Sequence, residues 1–135
     1  MKNESMTAEI YTNGKIIYRN TSGQLHNPLG PAVVWPDGRQ EHWINGKLHN
    51  ENGPAVTWPD GSKDYYINGN LHNENGPAVV ESDGKIEFWV NGNLHNENGP
   101  AVVWPDGHEE HWIYDSLISK AEFKAWKAKK TIKTN

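Results

Sequence analysis

The chain has 135 residues and a mass of 15.3 kDa, one domain's worth. Only 35% is hydrophobic and the mean hydropathy is −0.86, which excludes a large multilayer core; no apolar run approaches the ~18 residues of a membrane span. The absence of Cys excludes a disulfide framework, a thiolate metal site and a Cys nucleophile, and a net charge of −4 argues against a general nucleic-acid binder.

Residues 1–11 read as an N-terminal segment with no signal-peptide pattern after Met1-Lys2, so a cytoplasmic location is expected. From residue 12 the chain repeats. Leu25-His26-Asn27 recurs as Leu48-His49-Asn50, Leu71-His72-Asn73 and Leu94-His95-Asn96, 23 residues apart each time. Asn13-Gly14 opens a degenerate first copy, and a last copy from Pro105 breaks off after Trp112-Ile113. Atypical end copies are what a stacked array needs, because they meet solvent on one side.

Each copy carries two turn signals. Pro36-Asp37-Gly38, Pro59-Asp60-Gly61 and Pro105-Asp106-Gly107 fit a type I turn with Pro second and Gly as a left-handed bulge residue. Asn45-Gly46, Asn68-Gly69 and Asn91-Gly92 fit two-residue type I′ turns, in which both central residues need positive φ. Two strands per repeat follow. The expected fold is all-β: an antiparallel meander of about four 23-residue, two-stranded repeats over residues 12–118, forming a twisted ribbon or solenoid.

The turns also set register. Ile44 should pair with Lys47, Trp43 with Leu48, His42 with His49, Trp35 with Arg39, Val33 with Glu41 and Pro31 with Trp43. One face then collects Val33, Trp35, Trp43, Leu48 and their equivalents, and with seven Trp in the chain this face is expected to bury large rings. Glu41, Asp64, Glu87 and Glu110 fall on the same face. Either the Pro-Asp-Gly register is off by one, or these acids lie at the rim.

Residues 119–135 change character. Ser119-Lys120-Ala121-Glu122 is a capping box opening a helix of about three turns, expected to cap the last open strand. Residues 120–135 carry six Lys against Glu122, a net +5, leaving −9 on residues 1–119. This basic end reads as a solvated helix terminus rather than a membrane contact.

The run Leu-His-Asn-Glu-Asn-Gly-Pro-Ala-Val-Val-Trp-Pro-Asp-Gly resembles MORN-like repeats, and more closely the Asp-Gly-Pro-Ala type found in bacterial and phage proteins. Such arrays often finish in a Ser/Thr-x-x-Glu-Phe helix, as Ser119 to Phe123 does here. This chain departs from the common form in Asn52, Asn75 and Asn98, where Asp is usual, and in Pro28-Leu29. The resemblance implies a scaffold or interaction module, in some relatives at acidic phospholipids.

The candidate binding residues are Tyr65, Ile67 and Phe88 with His42, His49, His72 and His95. Tyr65 and Phe88 make the middle copies the most aromatic, a composition enriched at interface hot spots. The histidines do not suit a metal: equivalent residues stand about 9.6 Å apart, two strands of spacing, too far to share an ion. Each is expected instead to fix its own Asn-Glu-Asn-Gly-Pro loop. No nucleophile elbow is present, and identical repeats give recurrent Glu51, Glu74 and Glu97 identical environments, unlike a catalytic pair. The expectation is a non-enzymatic protein-binding module without cofactor or metal. Its partner would be a protein, in a phage or bacterial setting a defence protein or toxin, and a homodimer is expected through the His42–Phe88 face or the N-terminal edge. The alternatives are a nucleotide-sequestering protein and an anionic-phospholipid scaffold.

Overall fold

In the computed structural model, residues 5–131 are described. Gly38 has φ 99°, donates its N–H to the Trp35 carbonyl, and lets Trp35 N–H reach the Arg39 carbonyl; the Asp37 carboxylate accepts the Arg39 N–H. That is the expected turn with a left-handed glycine. It recurs around Gly61, Gly84 and Gly107. Asn45 (φ 49°) and Gly46 (φ 79°) form the expected two-residue turn, as do the pairs at 68–69 and 91–92. In the first copy the corresponding loop gains one residue and closes through Gly23, with Asn20 N–H donating to the Gln24 carbonyl.

Strands β1 (Thr7–Ile10) and β2 (Ile16–Arg19) open the array, β1 lying within the N-terminal segment. Each full repeat then supplies four short strands rather than two. The first gives β3 (Val33–Val34), β4 (Gln40–Glu41), β5 (Trp43–Ile44) and β6 (Lys47–Leu48). The second gives β7 (Val56–Thr57), β8 (Lys63–Asp64), β9 (Tyr66–Ile67) and β10 (Asn70–Leu71). The third gives β11 (Val79–Val80), β12 (Ile86–Glu87), β13 (Trp89–Val90) and β14 (Asn93–Leu94). The last has β15 (Val102–Val103), an unbroken β16 (Glu109–Ile113), β17 (Ser116–Ile118) and helix α1 (Lys120–Thr131). The result is an open antiparallel sheet of eleven strands, ordered β1-β2-β3-β4-β7-β8-β11-β12-β15-β16-β17, and three separate hairpins β5–β6, β9–β10 and β13–β14.

The extra breaks come from one residue per repeat. His42 donates its N–H to Ala55 O in the sheet, while its own carbonyl accepts from His49 N–H in the hairpin. Tyr65 and Phe88 do the same with Ala78 and His72, and with Ala101 and His95. The strand bends there and serves two ladders. The expected pairs Trp43–Leu48, Ile44–Lys47 and Val33–Glu41 are present. The expected pairing of Pro31 with Trp43 is not among the ladder pairs: the Ala32 N–H donates to the Glu41 carbonyl, and beyond it the strand turns into its hairpin.

Burial corrects the expectation of a ring-filled core. None of the seven Trp is buried; Trp58 is 37% exposed. The interior is instead a row of small residues. Ala32, Ala55, Ala78 and Ala101 are fully covered, with Val33, Val56 and Val102 beside them. Each alanine is held through its backbone to strands on both sides, Ala55 donating to the Asp64 carbonyl and accepting from His42 N–H, and its fully covered methyl leaves no room for a larger side chain.

The acids on this face do not signal a register error. Glu41 is 7% exposed and accepts the Trp43 indole N–H at 2.9 Å, with Arg39 as ion partner. Trp89 donates to Glu87 and Trp112 to Glu110 in the same way. Residues two apart on a strand share a face, so each acid lies beside the indole that satisfies it. In the second copy Tyr66 replaces the Trp, and Trp58 donates to Asp64 instead.

Replacing Ala78 by Leu should cost about 1–3 kcal/mol, because overpacking strains a closed site, while Leu29→Ala, at 88% exposure, should stay within about 0.5 kcal/mol. Urea midpoints that moved equally would contradict this location of the core.

Candidate functional site

The repeated histidine has a specific structural task, and it is not the expected one. His26 Nδ1 accepts the Asn45 N–H at 2.9 Å; His49, His72 and His95 accept from Asn68, Asn91 and Tyr114, all at 2.9 Å. Through Nδ1 each histidine therefore holds the tight turn of the next repeat, 19 residues on, and only Nε2 is left for its own loop. An imidazole that accepts at Nδ1 carries its proton on Nε2 when neutral. That nitrogen faces a carboxylate: Nε2 lies 3.4 Å from Glu51 for His49, 3.3 Å from Glu74 for His72 and 3.9 Å from Glu97 for His95.

The loop is fixed by the next residue along. Asn50 donates from Nδ2 to the Pro54 carbonyl and accepts the Asn52 N–H at Oδ1. Asn27, Asn73 and Asn96 repeat the pattern. A rigid loop thus stands at each repeat boundary. Beside it lie the bend residue and the residue two further on, forming one side of a cleft.

Most of the candidate residues meet in these clefts. The 27–30 loop faces His42 and Ile44, with His49 at the side. The 50–53 loop, carrying Glu51, faces Tyr65 and Ile67, with His72 and the next loop's Asn73, Glu74 and Asn75 forming the other wall. The 73–76 loop carries Glu74, and its Asn73 N–H donates to Trp89 O between Phe88 and Val90. The side chains at 42, 44, 65, 67, 88 and 90 are all half-buried. The candidates therefore occupy successive equivalent positions rather than one shared site. Burial lowers the His42 pKa, opposed by its bond with the Gly30 backbone. Burial also lowers that of His95, with Glu97 opposing and Lys130 assisting.

The fourth boundary differs because α1 covers it. Ser119 and Glu122 form the expected reciprocal cap, each backbone N–H donating to the other's side chain at 3.0 Å. The helix lies not on the last strand but beside it: Leu117 in β17 stays 57% exposed. Phe123 stacks on His111, with ring centres 4.5 Å apart. Trp126 meets His95 edge-on at 6.5 Å, and Lys130 pairs with Glu97. That hydrogen bond from Lys130 holds the Glu97 carboxyl below its usual range. The contacts of Trp126 with His95 and of Lys130 with Glu97 were not visible in the sequence, since they join positions 31 and 33 residues apart.

A second irregularity lies inside the array, at the Trp that precedes each Pro-Asp-Gly turn. Lys15 sits 3.9 Å over the Trp35 ring, Arg39 4.2 Å over Trp58 and Lys85 5.1 Å over Trp104. The corresponding pair in the middle is Ser62 and Glu81, where Ser82 N–H donates to Ser62 Oγ. Trp58, Asp60, Asp64 and Asp83 surround this gap. The signal was readable as Trp35, Trp58, Glu81, Trp104 at one repeat position.

Among the described residues, no group of three or more His, Asp or Glu side chains is arranged to hold a metal ion, and no helix is long and apolar enough to cross a membrane. No family model and no curated protein matches the chain.

Acid should weaken the fold through the two histidines. Their folded-state pKa values lie below the ordinary 6.5, so between the two values the unfolded chain binds more protons and stability falls as pH drops. Asp64, raised by burial, works in the opposite sense nearer the carboxylate range. The melting temperature should therefore decline from pH 7.5 to 5.5, and His42→Phe, which copies the residue at 88, should flatten that decline. An unchanged slope would contradict the burial argument.

Proposed function

We propose that the chain is a non-enzymatic repeat module that binds a protein through the clefts at its repeat boundaries. The observation that carries this reading is the recurrence of half-exposed Tyr65, Ile67, Phe88 and Val90 beside loops held rigid by their own asparagines. Rigid loops present a contact surface at little ordering cost, and aromatic side chains between them supply large contact area. Repetition along the array lets several modest contacts act together. A homodimer using the same face is the form of this reading in which a second copy is the partner.

The nucleotide-sequestering alternative has less support. The clefts line themselves with Asn and Glu side chains and carry no cluster of Lys or Arg to meet a phosphate. For a phospholipid scaffold, the basic residues are concentrated on α1, where Lys130 is engaged by Glu97.

Tandem affinity purification from a cell lysate should yield a polypeptide that is lost with Tyr65→Ser/Phe88→Ser and retained with Ile10→Ala, at an exposed position of β1 outside the clefts. Native mass spectrometry of the same preparation reads the alternative directly. A bound nucleotide and no cleft-dependent polypeptide would overturn the protein-binding reading.

A further inference from the structure

We propose that the two open clefts bearing Glu51 and Glu74 accept a basic amphipathic helix of a partner protein, presenting two aromatic residues three apart and a Lys four further on. This inference rests on the protein-binding reading above and names the chemistry of the partner.

One boundary of the array is already occupied by the chain itself. At the fourth boundary the 96–99 loop stands beside His111 and Ile113 as the 50–53 loop stands beside Tyr65 and Ile67, the Asn96 N–H donating to Trp112 O as Asn50 donates to Tyr66 O. Helix α1 occupies that place with Phe123, Trp126 and Lys130, positions that fall on one helical face. Phe123 covers His111, which stands in the unbroken β16 at the repeat position of Tyr65, Trp126 covers the clasping His95, and Lys130 neutralises the loop acid Glu97. The effect is visible in burial. His111 and Ile113 are 8% exposed, whereas Tyr65, Ile67, Phe88 and Val90 remain half-exposed.

The open clefts retain the features that α1 engages. His49 and His72 hold the same clasp and face the same acid. The side chains of Glu51 and Glu74 are 77% and 79% exposed, against 43% for Glu97 under Lys130. The 27–30 loop has Pro28 at the acid's position, so the first cleft meets Glu51 only on its far wall. Helix α1 cannot serve the open clefts itself, because Ser119 alone separates it from β17. Charge favours the same occupant: residues 1–119 carry −9, so a cationic helix is drawn to the array.

The probe is a fluorescent peptide with the sequence of residues 119–131, stapled on its outward face so that a short helix persists in water. Titrated with the full chain, it should bind saturably. Glu51→Lys/Glu74→Lys should weaken it by about tenfold, the scale of a charge pair turned from attraction to repulsion. A peptide carrying Lys130→Glu should lose affinity for the unaltered chain and regain it with the charge-reversed one. Both Glu side chains are mostly exposed, so these variants should fold, and circular dichroism checks this. Binding insensitive to residues 51 and 74, or dependent on Glu97 alone, would overturn the proposal. So would the absence of saturable binding; if a captured polypeptide still depended on Tyr65 and Phe88, the broader reading would stand and only the helix assignment would fall. Concentration-dependent self-association abolished by Glu51→Lys/Glu74→Lys would overturn the separate partner in favour of a second copy's helix.

Discussion

The N–H···Nδ1 bond from each tight turn to the histidine of the preceding repeat is the contact on which the array depends. The type I′ turn directs the amides of Asn45 and Gly46 to one side; the first goes to His26 Nδ1 and the second to the Leu25 carbonyl. The turn therefore closes a hairpin and docks it on its neighbour at once. Repeats 23 residues long with two short strand pairs bury too little alone to be stable, and neighbour contacts supply what each lacks. The pattern of the motif follows: Asn-Gly sets the turn, Leu-His receives it, and the next Asn fixes the loop.

What the sequence made legible was the part written in backbone requirements. Asn-Gly and Asp-Gly demand positive φ at fixed places, so turn types and near-turn pairs such as Trp43–Leu48 could be derived. The bend could not, because the residue that makes it is Tyr18, His42, Tyr65 or Phe88, none of which marks a bend locally. Its two backbone groups serve different ladders, a property of the assembled array. Core composition was misjudged for another reason. Ring area suggested buried Trp, but the fully covered row between paired strands has space only for Ala, and the indole N–H is needed outside that row to satisfy a carboxylate.

The clefts show the same division. Their residues were identifiable from composition, with Tyr65, Ile67 and Phe88 standing out in the middle copies. Their equivalence to the α1 contact was hidden, because it links Glu97 to Lys130 across the last hairpin. An array built from one contact exposes the same surface at every boundary, and the end of the chain closes one of them. The remaining boundaries are left half-covered, which is the physical basis for reading them as binding surface rather than as core.

The most direct test is the protonation state and hydrogen bonding of the four repeat histidines in solution. Nitrogen-15 spectra at pH 7.5 read the tautomer of His26, His49, His72 and His95, and scalar coupling across the hydrogen bond reads which amide each ring accepts. An unprotonated Nδ1 is expected in all four, coupled to the amides of Asn45, Asn68, Asn91 and Tyr114. Histidines carrying the proton on Nδ1, or coupled to amides of their own loops, would contradict it.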